Sequence, residues 1–101
     1  MRISSPQKDA LFVLLLIEEK GENDPFPATD LLMTVNKIRP WNKQVDASNF
    51  TRSCHKLAEN GFVHRFRHPQ SLRLAFKLTD LGRPVAEKRR AEWQRELKKD
   101  Q

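Results

Sequence analysis

Cysteine occurs once, as Cys54, which excludes an intramolecular disulfide and a cysteine-based metal cluster. Glycine is nearly as scarce: there are three, none in a loop that would cradle a phosphate. Long apolar runs are missing too. The longest, Ala10-Leu-Phe-Val-Leu-Leu-Leu-Ile17, falls far short of the ~20 residues that span a bilayer. It also sits too far from a basic start or a cleavage site to act as a signal peptide. A cytoplasmic chain that does not enter membranes is the expectation. His55, His64 and His68 lack the spacing of a zinc site. Cys54 and His55 are neighbours, but ~100° separates them on a helix, so they do not face one another as nucleophile and base. No catalytic, metal or cofactor constellation is evident, and a non-enzymatic role is expected. A small-molecule effector stays open, because such pockets leave little trace in sequence.

What the chain does have is charge, unevenly placed. Of its 101 residues 38% are hydrophobic and 32% charged, the balance of a folded chain, and a single domain over residues 1–101 is expected. Net charge is +6. Residues 1–40 hold five Lys/Arg against six Asp/Glu (−1), residues 41–79 seven against two (+5), and residues 80–101 seven against five (+2). The excess is therefore concentrated in the middle of the chain. A polyanion would meet an asymmetric basic surface and gain affinity by releasing counterions. A solvated basic face that only aids solubility is the alternative.

Ser5-Pro6 reads as a helix start, with Ser5 as N-cap and Pro6 at the first helical position, where its missing N–H costs nothing. This helix is expected to reach Lys20 and stop at Gly21. Its apolar stretch makes it the central buried helix. Gly21 to Pro27 reads as a loop stiffened by prolines. Ala28 to Arg39 places Leu31, Leu32, Val35 and Ile38 at helical spacing and should end before Pro40. Pro40 to Val45 is a connector, with Trp41 either packed beneath it or exposed.

A third helix over 47–60 follows Asp46, a good N-cap. Its wheel puts Ala47, Phe50, Cys54, Leu57 and Ala58 on one face. Ser48, Asn49, Arg52, His55, Lys56 and Glu59 take the other, with Thr51 alongside. These are the side-chain types that read base edges and grip phosphates: Arg and Lys to guanine, Asn to adenine, Ser and Thr to either or to the backbone. The positive end of the helix dipole also favours a nearby phosphate. An ordinary amphipathic helix with a solvated face is the competing account.

Beyond Gly61, Phe62 and Phe66 are expected to face inward and Arg65 and Arg67 outward. His68-Pro-Gln-Ser71 is a turn. Leu72, Leu74, Phe76 and Leu78 then alternate inward against Arg73, Ala75 and Lys77 outward, completing a basic two-stranded hairpin over 62–78. A last helix from Asp80 as N-cap to Lys99 carries Leu81, Val85 and Ala86 into the core. Trp93 and Leu97 lie four residues apart on one face, able to dock on the first helix or on a second subunit.

Helix, strand, basic turn, strand, helix is the order of a winged helix-turn-helix. The fold class is α+β, mainly helical: a three-helix core, a two-stranded β wing and a C-terminal helix. Leu57-Ala-Glu-Asn-Gly-Phe-Val-His-Arg65, with Phe76-Lys-Leu-Thr-Asp-Leu-Gly82, resembles the pattern of winged-helix regulators of the MarR and PadR type. The tail from Leu78 to Trp93 is similar to the PadR-like ending, where a C-terminal helix helps build a dimer. The resemblance covers residues 46–93. It implies a recognition helix at 47–60, a wing near 65–73 and a homodimer on a palindromic double-stranded DNA operator. Asn49, Arg52, His55 and Lys56 would enter the major groove, assisted by Ser48 and Thr51, while Arg65, Arg67 and Arg73 anchor the wing on the backbone or minor groove. A winged helix that binds protein or RNA instead is the second reading.

Overall fold

The computed structural model describes residues 2–99. In order they form α1 (Ser5–Glu19), β1 (Phe26–Pro27), α2 (Ala28–Ile38), a 3₁₀ turn (Trp41–Lys43), α3 (Ala47–Glu59), β2 (Val63–Arg67), β3 (Leu74–Leu78) and α4 (Arg83–Lys99). The strands make one antiparallel sheet in the order β1-β3-β2. This is the winged-helix arrangement expected from the sequence, with α1 packed against α2, α3, α4 and β3 at its centre. Ala10 to Leu15 are all buried, which is why that run is apolar on every side.

Ser4, not Ser5, caps α1. The Ser4 hydroxyl accepts from the Gln7 N–H at 3.3 Å, and Gln7 Oε1 accepts from the Ser4 N–H at 2.8 Å. Only Ser4 has a glutamine three residues on, and that reciprocal pair satisfies two free donors at once. Gly21, at φ +92°, ends the helix as expected. β1 lies where a loop was expected. Phe26 pairs with Phe76 and Pro27 with Ala75, a bridge too short to show alternation and half built from a residue that cannot donate.

Among the described residues the core contains one carboxylate. Asp9, 2% exposed, sits on α1 between two guanidiniums. Arg39 Nη1 donates to its Oδ2 at 2.7 Å, and Arg89 Nε donates to its Oδ1 at 2.7 Å. Burial pulls the Arg89 guanidinium down. Its hydrogen bond to Asp9 and the charges of Asp9, Glu96 and Glu92 outweigh that and hold it above its ordinary value. Arg39 also donates from Nε to the Lys43 carbonyl at 2.7 Å and from Nη1 to Ser5 Oγ at 3.0 Å. One buried charge thereby links α1, the end of α2, the connector and α4.

Two side chains finish setting the connector. Asn36 makes a paired bond with Val45, donating to its carbonyl at 3.0 Å and accepting from its N–H at 2.9 Å. Gln44 Nε2 donates to the carbonyls of Asn36, Arg39 and Pro40, closing the open end of α2. Asp46 then caps α3 by accepting from the Asn49 N–H at 2.7 Å. Trp41 is exposed. Ala47, placed with the core on the wheel, is also exposed.

The phase of β2 is opposite to that expected. Val63, buried, pairs with Leu78, so Arg65 and Arg67 fall on the same sheet face as Phe76 and Leu74. Phe66 points the other way and is 43% exposed. Phe62, just ahead of the strand, is half-buried against the core as expected, but within β2 only Val63 is buried. Leu72 is likewise turned out, and Leu81 is exposed in the turn before α4.

The Gly61 and Gly82 of the resembled pattern meet in space. Gly61 has φ +80°. A Cβ on Gly82 would lie 2.2 Å from the Phe62 carbonyl oxygen, so the close approach admits only glycine. Thr79, not Asp80, caps this end of α4: its Oγ1 accepts from the Gly82 N–H at 3.1 Å and donates to the Gly61 carbonyl at 2.6 Å.

Two outcomes follow. Asp9→Ala leaves Arg39 half-buried without a counter-charge and Arg89 with only its longer contacts to Glu92 and Glu96, and urea unfolding should show a loss of about 3–5 kcal/mol. A loss below about 1 kcal/mol would show the node to be incidental. Burial pushes the Cys54 thiol from its ordinary 9.0 up to about 12. Below pH 9 it is neutral in both states; between about 9 and 12 only the unfolded chain ionises, so its contribution to stability is lost as pH rises through that window. Iodoacetamide at pH 8 should label native Cys54 on the order of a hundredfold more slowly than the urea-unfolded chain. Equal rates would place the thiol at the surface.

Candidate nucleic-acid interface

α3 projects a polar face away from the core because Phe50, Cys54 and Leu57 alone are buried along it. Ser48, Asn49, Thr51, Arg52 and Lys56 are exposed, and His55 is half-buried. At ~100° per residue, Ser48 and Arg52 run along the middle of that face, Thr51 and His55 flank one side and Asn49 and Lys56 the other.

Each flank meets a different neighbour. On one side His55 Nδ1 lies 3.1 Å from Arg65 Nη1, so the guanidinium donates to an imidazole unprotonated at that nitrogen. The reversed phase of β2 is what makes this contact, since it turns Arg65 toward α3. On the other side Asn49, Arg52, Ser53 and Lys56 line a groove with Arg2, Ser4 and Gln7. Gln7, 4% exposed, joins the two walls by donating from Nε2 to the Ser53 carbonyl at 3.2 Å. Arg2 thus stands beside α3, where no sequence pattern pointed. Its only trace in the sequence is a cation just ahead of a helix start, and nothing in local spacing says which helix it will border.

The wing carries the remaining cations. Arg67 Nη1 donates to the Leu72 carbonyl at 3.1 Å, bracing the tip, whereas Arg73 is exposed with its guanidinium unengaged. His68 is absorbed in the turn, its Nδ1 accepting from the N–H groups of Gln70 and Ser71. Lys77 is tied to the Asn23 carbonyl at 2.7 Å.

Apart from Arg95, exposed on α4 with no ion pair among the described residues, the arginines fall into two populations. Arg39, Arg83, Arg89 and Arg90 are ion-paired with Asp9, Glu18, Glu19, Glu92 or Glu96, all on the side built by α1 and α4. Among the described residues no acid pairs with Arg2, Arg52, Arg65, Arg67 or Arg73. Acid is present at the ends of α3, as Asp46 and Glu59, and absent between them. The Asp46 carboxylate sits at the positive end of the α3 dipole, accepting from the Asn49 N–H.

Trp93 packs on the first helix, its ring centroid 5.4 Å from that of Phe12. Leu97, one turn on, is 45% exposed. Among the described residues no group of three or more His, Cys, Asp or Glu side chains is placed to hold a metal ion, and no helix is long and apolar enough to cross a membrane.

No family model and no curated protein matches the sequence. Solved structures do match the fold. The adhesin competence repressor AdcR of Streptococcus pyogenes aligns over 96% of this chain and 62% of its own, at TM-score 0.72 and 16% identity. ZitR of Lactococcus lactis, a zinc-responsive MarR family member, aligns over 98% of this chain and 59% of its own, at 0.74 and 16%. MepR, a transcription regulator of the Staphylococcus aureus multidrug efflux pump MepA, aligns over 96% and 62%, at 0.65 and 15%. The chain spans about three-fifths of the length of these structures. Its fold is the MarR-like winged helix.

Proposed function

We propose that the protein is a transcription regulator that binds double-stranded DNA sequence-specifically as a homodimer, without catalysing a reaction. The observation that carries this reading is the separation of the arginines: ion-paired along the α1–α4 seam, with Arg95 outside it, and unpaired across α3 and the wing. A surface that served solubility alone would have no reason to keep acids away from these two elements. α3 enters the major groove, where Arg52 and Lys56 reach guanine edges, Asn49 reaches adenine, and Ser48 and Thr51 assist. His55, held by Arg65, sets the angle between helix and wing and faces the same groove. Arg65, Arg67 and Arg73 lie along the backbone or minor groove. Arg2 joins them as a phosphate contact at the far edge of α3. Leu97, the exposed apolar residue of α4, pairs the two subunits, with Trp93 beneath it held by Phe12.

Selection from a random duplex pool at ~150 mM salt, where long-range phosphate attraction is screened, tests this directly. An inverted-repeat motif is expected. Binding without a motif, lost as salt rises, would reduce the basic face to nonspecific attraction and favour a protein partner. On the selected duplex, Arg52→Ala should cost about 1–3 kcal/mol and relax base preference. Arg73→Ala should weaken all duplexes alike and lower the salt slope by about 1. If both variants bound like the parent, these roles would be wrong.

A further inference from the structure

Leu72, at the tip of the wing, has φ +57°, the one positive φ among the described non-glycine residues. In that region a side chain crowds its own backbone, and glycine or asparagine is the usual occupant. The turn enforces the conformation: the Leu72 N–H donates to the His68 carbonyl at 2.9 Å, and the His68 N–H donates to the Arg73 carbonyl at 2.9 Å. Arg67 holds the Leu72 carbonyl from the other side. Folding gains little from the side chain in return, since Leu72 is 59% exposed. Strain and apolar exposure thus coincide at a residue that glycine would replace at no cost to the turn. Around it stand Arg67 and the unengaged Arg73, on the hairpin that Arg65 joins to α3.

We propose that Leu72 is an apolar wedge that enters the DNA minor groove and inserts at a base step, while Arg67 and Arg73 hold the flanking phosphates. This rests on the DNA-binding reading. A wedge of this kind unstacks the step and bends the duplex, and it must be apolar and held out from the fold. Both conditions are met here. A second copy of the chain is a poorer occupant, because the cations beside Leu72 would face their own likeness across a two-fold interface.

Leu72→Asn separates the wedge from a structural role, since asparagine tolerates the left-handed conformation. Thermal unfolding should keep or raise its midpoint. Affinity for the selected duplex should fall on the order of tenfold, the loss of one buried leucine side chain. With dyes at the two duplex ends and protein at saturating concentration, the energy-transfer change on binding should shrink in Leu72→Asn. Unchanged affinity and unchanged transfer in Leu72→Asn would overturn the wedge. So would a wild-type complex that leaves the duplex straight, with DNA binding itself left standing. A lower molar mass of Leu72→Asn in light scattering would assign the leucine to a subunit contact instead. Wild-type protein that bound no duplex would overturn both readings together.

Discussion

Asp9 is the constraint on which the rest of the structure depends. A carboxylate buried against the core is tolerable only if its charge is met on the spot. Arg39 and Arg89 meet it from opposite sides, and each brings an element with it. Arg89 locks α4 against α1, in register with the Phe12–Trp93 contact. Arg39 carries the end of α2 and, through the Lys43 carbonyl, the connector. The connector then delivers Asp46 to the start of α3. The start of α3 is therefore tied, through the connector, to one buried charge on α1.

The same node explains the distribution of charge at the surface. α1 and α4 bring Asp9, Glu18, Glu19, Glu92 and Glu96 to their seam and consume the arginines that reach it. α3 and the hairpin contribute no acid to the surface between Asp46 and Glu59 or between Arg65 and Lys77. What the scaffold neutralises and what it leaves bare follow one division, and the bare side coincides with the elements that a winged helix presents to DNA. The reversed phase of β2 strengthens this, because Arg65 and Arg67 share a sheet side with the core residues and so turn toward α3 rather than away from it.

α1, α2 and α3 were legible because their signals are local: a capping serine, a proline after Ile38 and Arg39, an aspartate before an amphipathic run. β3 was legible because Phe76 and Leu78 are buried and Leu74 partly so, at alternate positions. β2 was not, since within it only Val63 is buried, and the larger Phe62 and Phe66 drew the pattern to themselves. β1 left no trace, being two residues long with a proline. Asp9 carries no local signal of its role, because its partners lie 30 and 80 residues away. Arg2 and Leu72 were missed for related reasons. Which side of α3 an N-terminal cation borders is a tertiary fact, and periodicity cannot foresee a left-handed turn that rotates a leucine out of its strand.

The most direct measurement is amide chemical-shift mapping by two-dimensional NMR while a duplex of the selected sequence is titrated in. The expected result is that shifts concentrate in Ser48–Lys56, in Arg65–Arg73 and at Arg2, with the ion-paired segment around Arg83–Arg90 changing least. Shifts centred instead on Trp41 and the exposed side of α4, with α3 silent, would contradict the claim that the unpaired arginines mark the DNA-binding face.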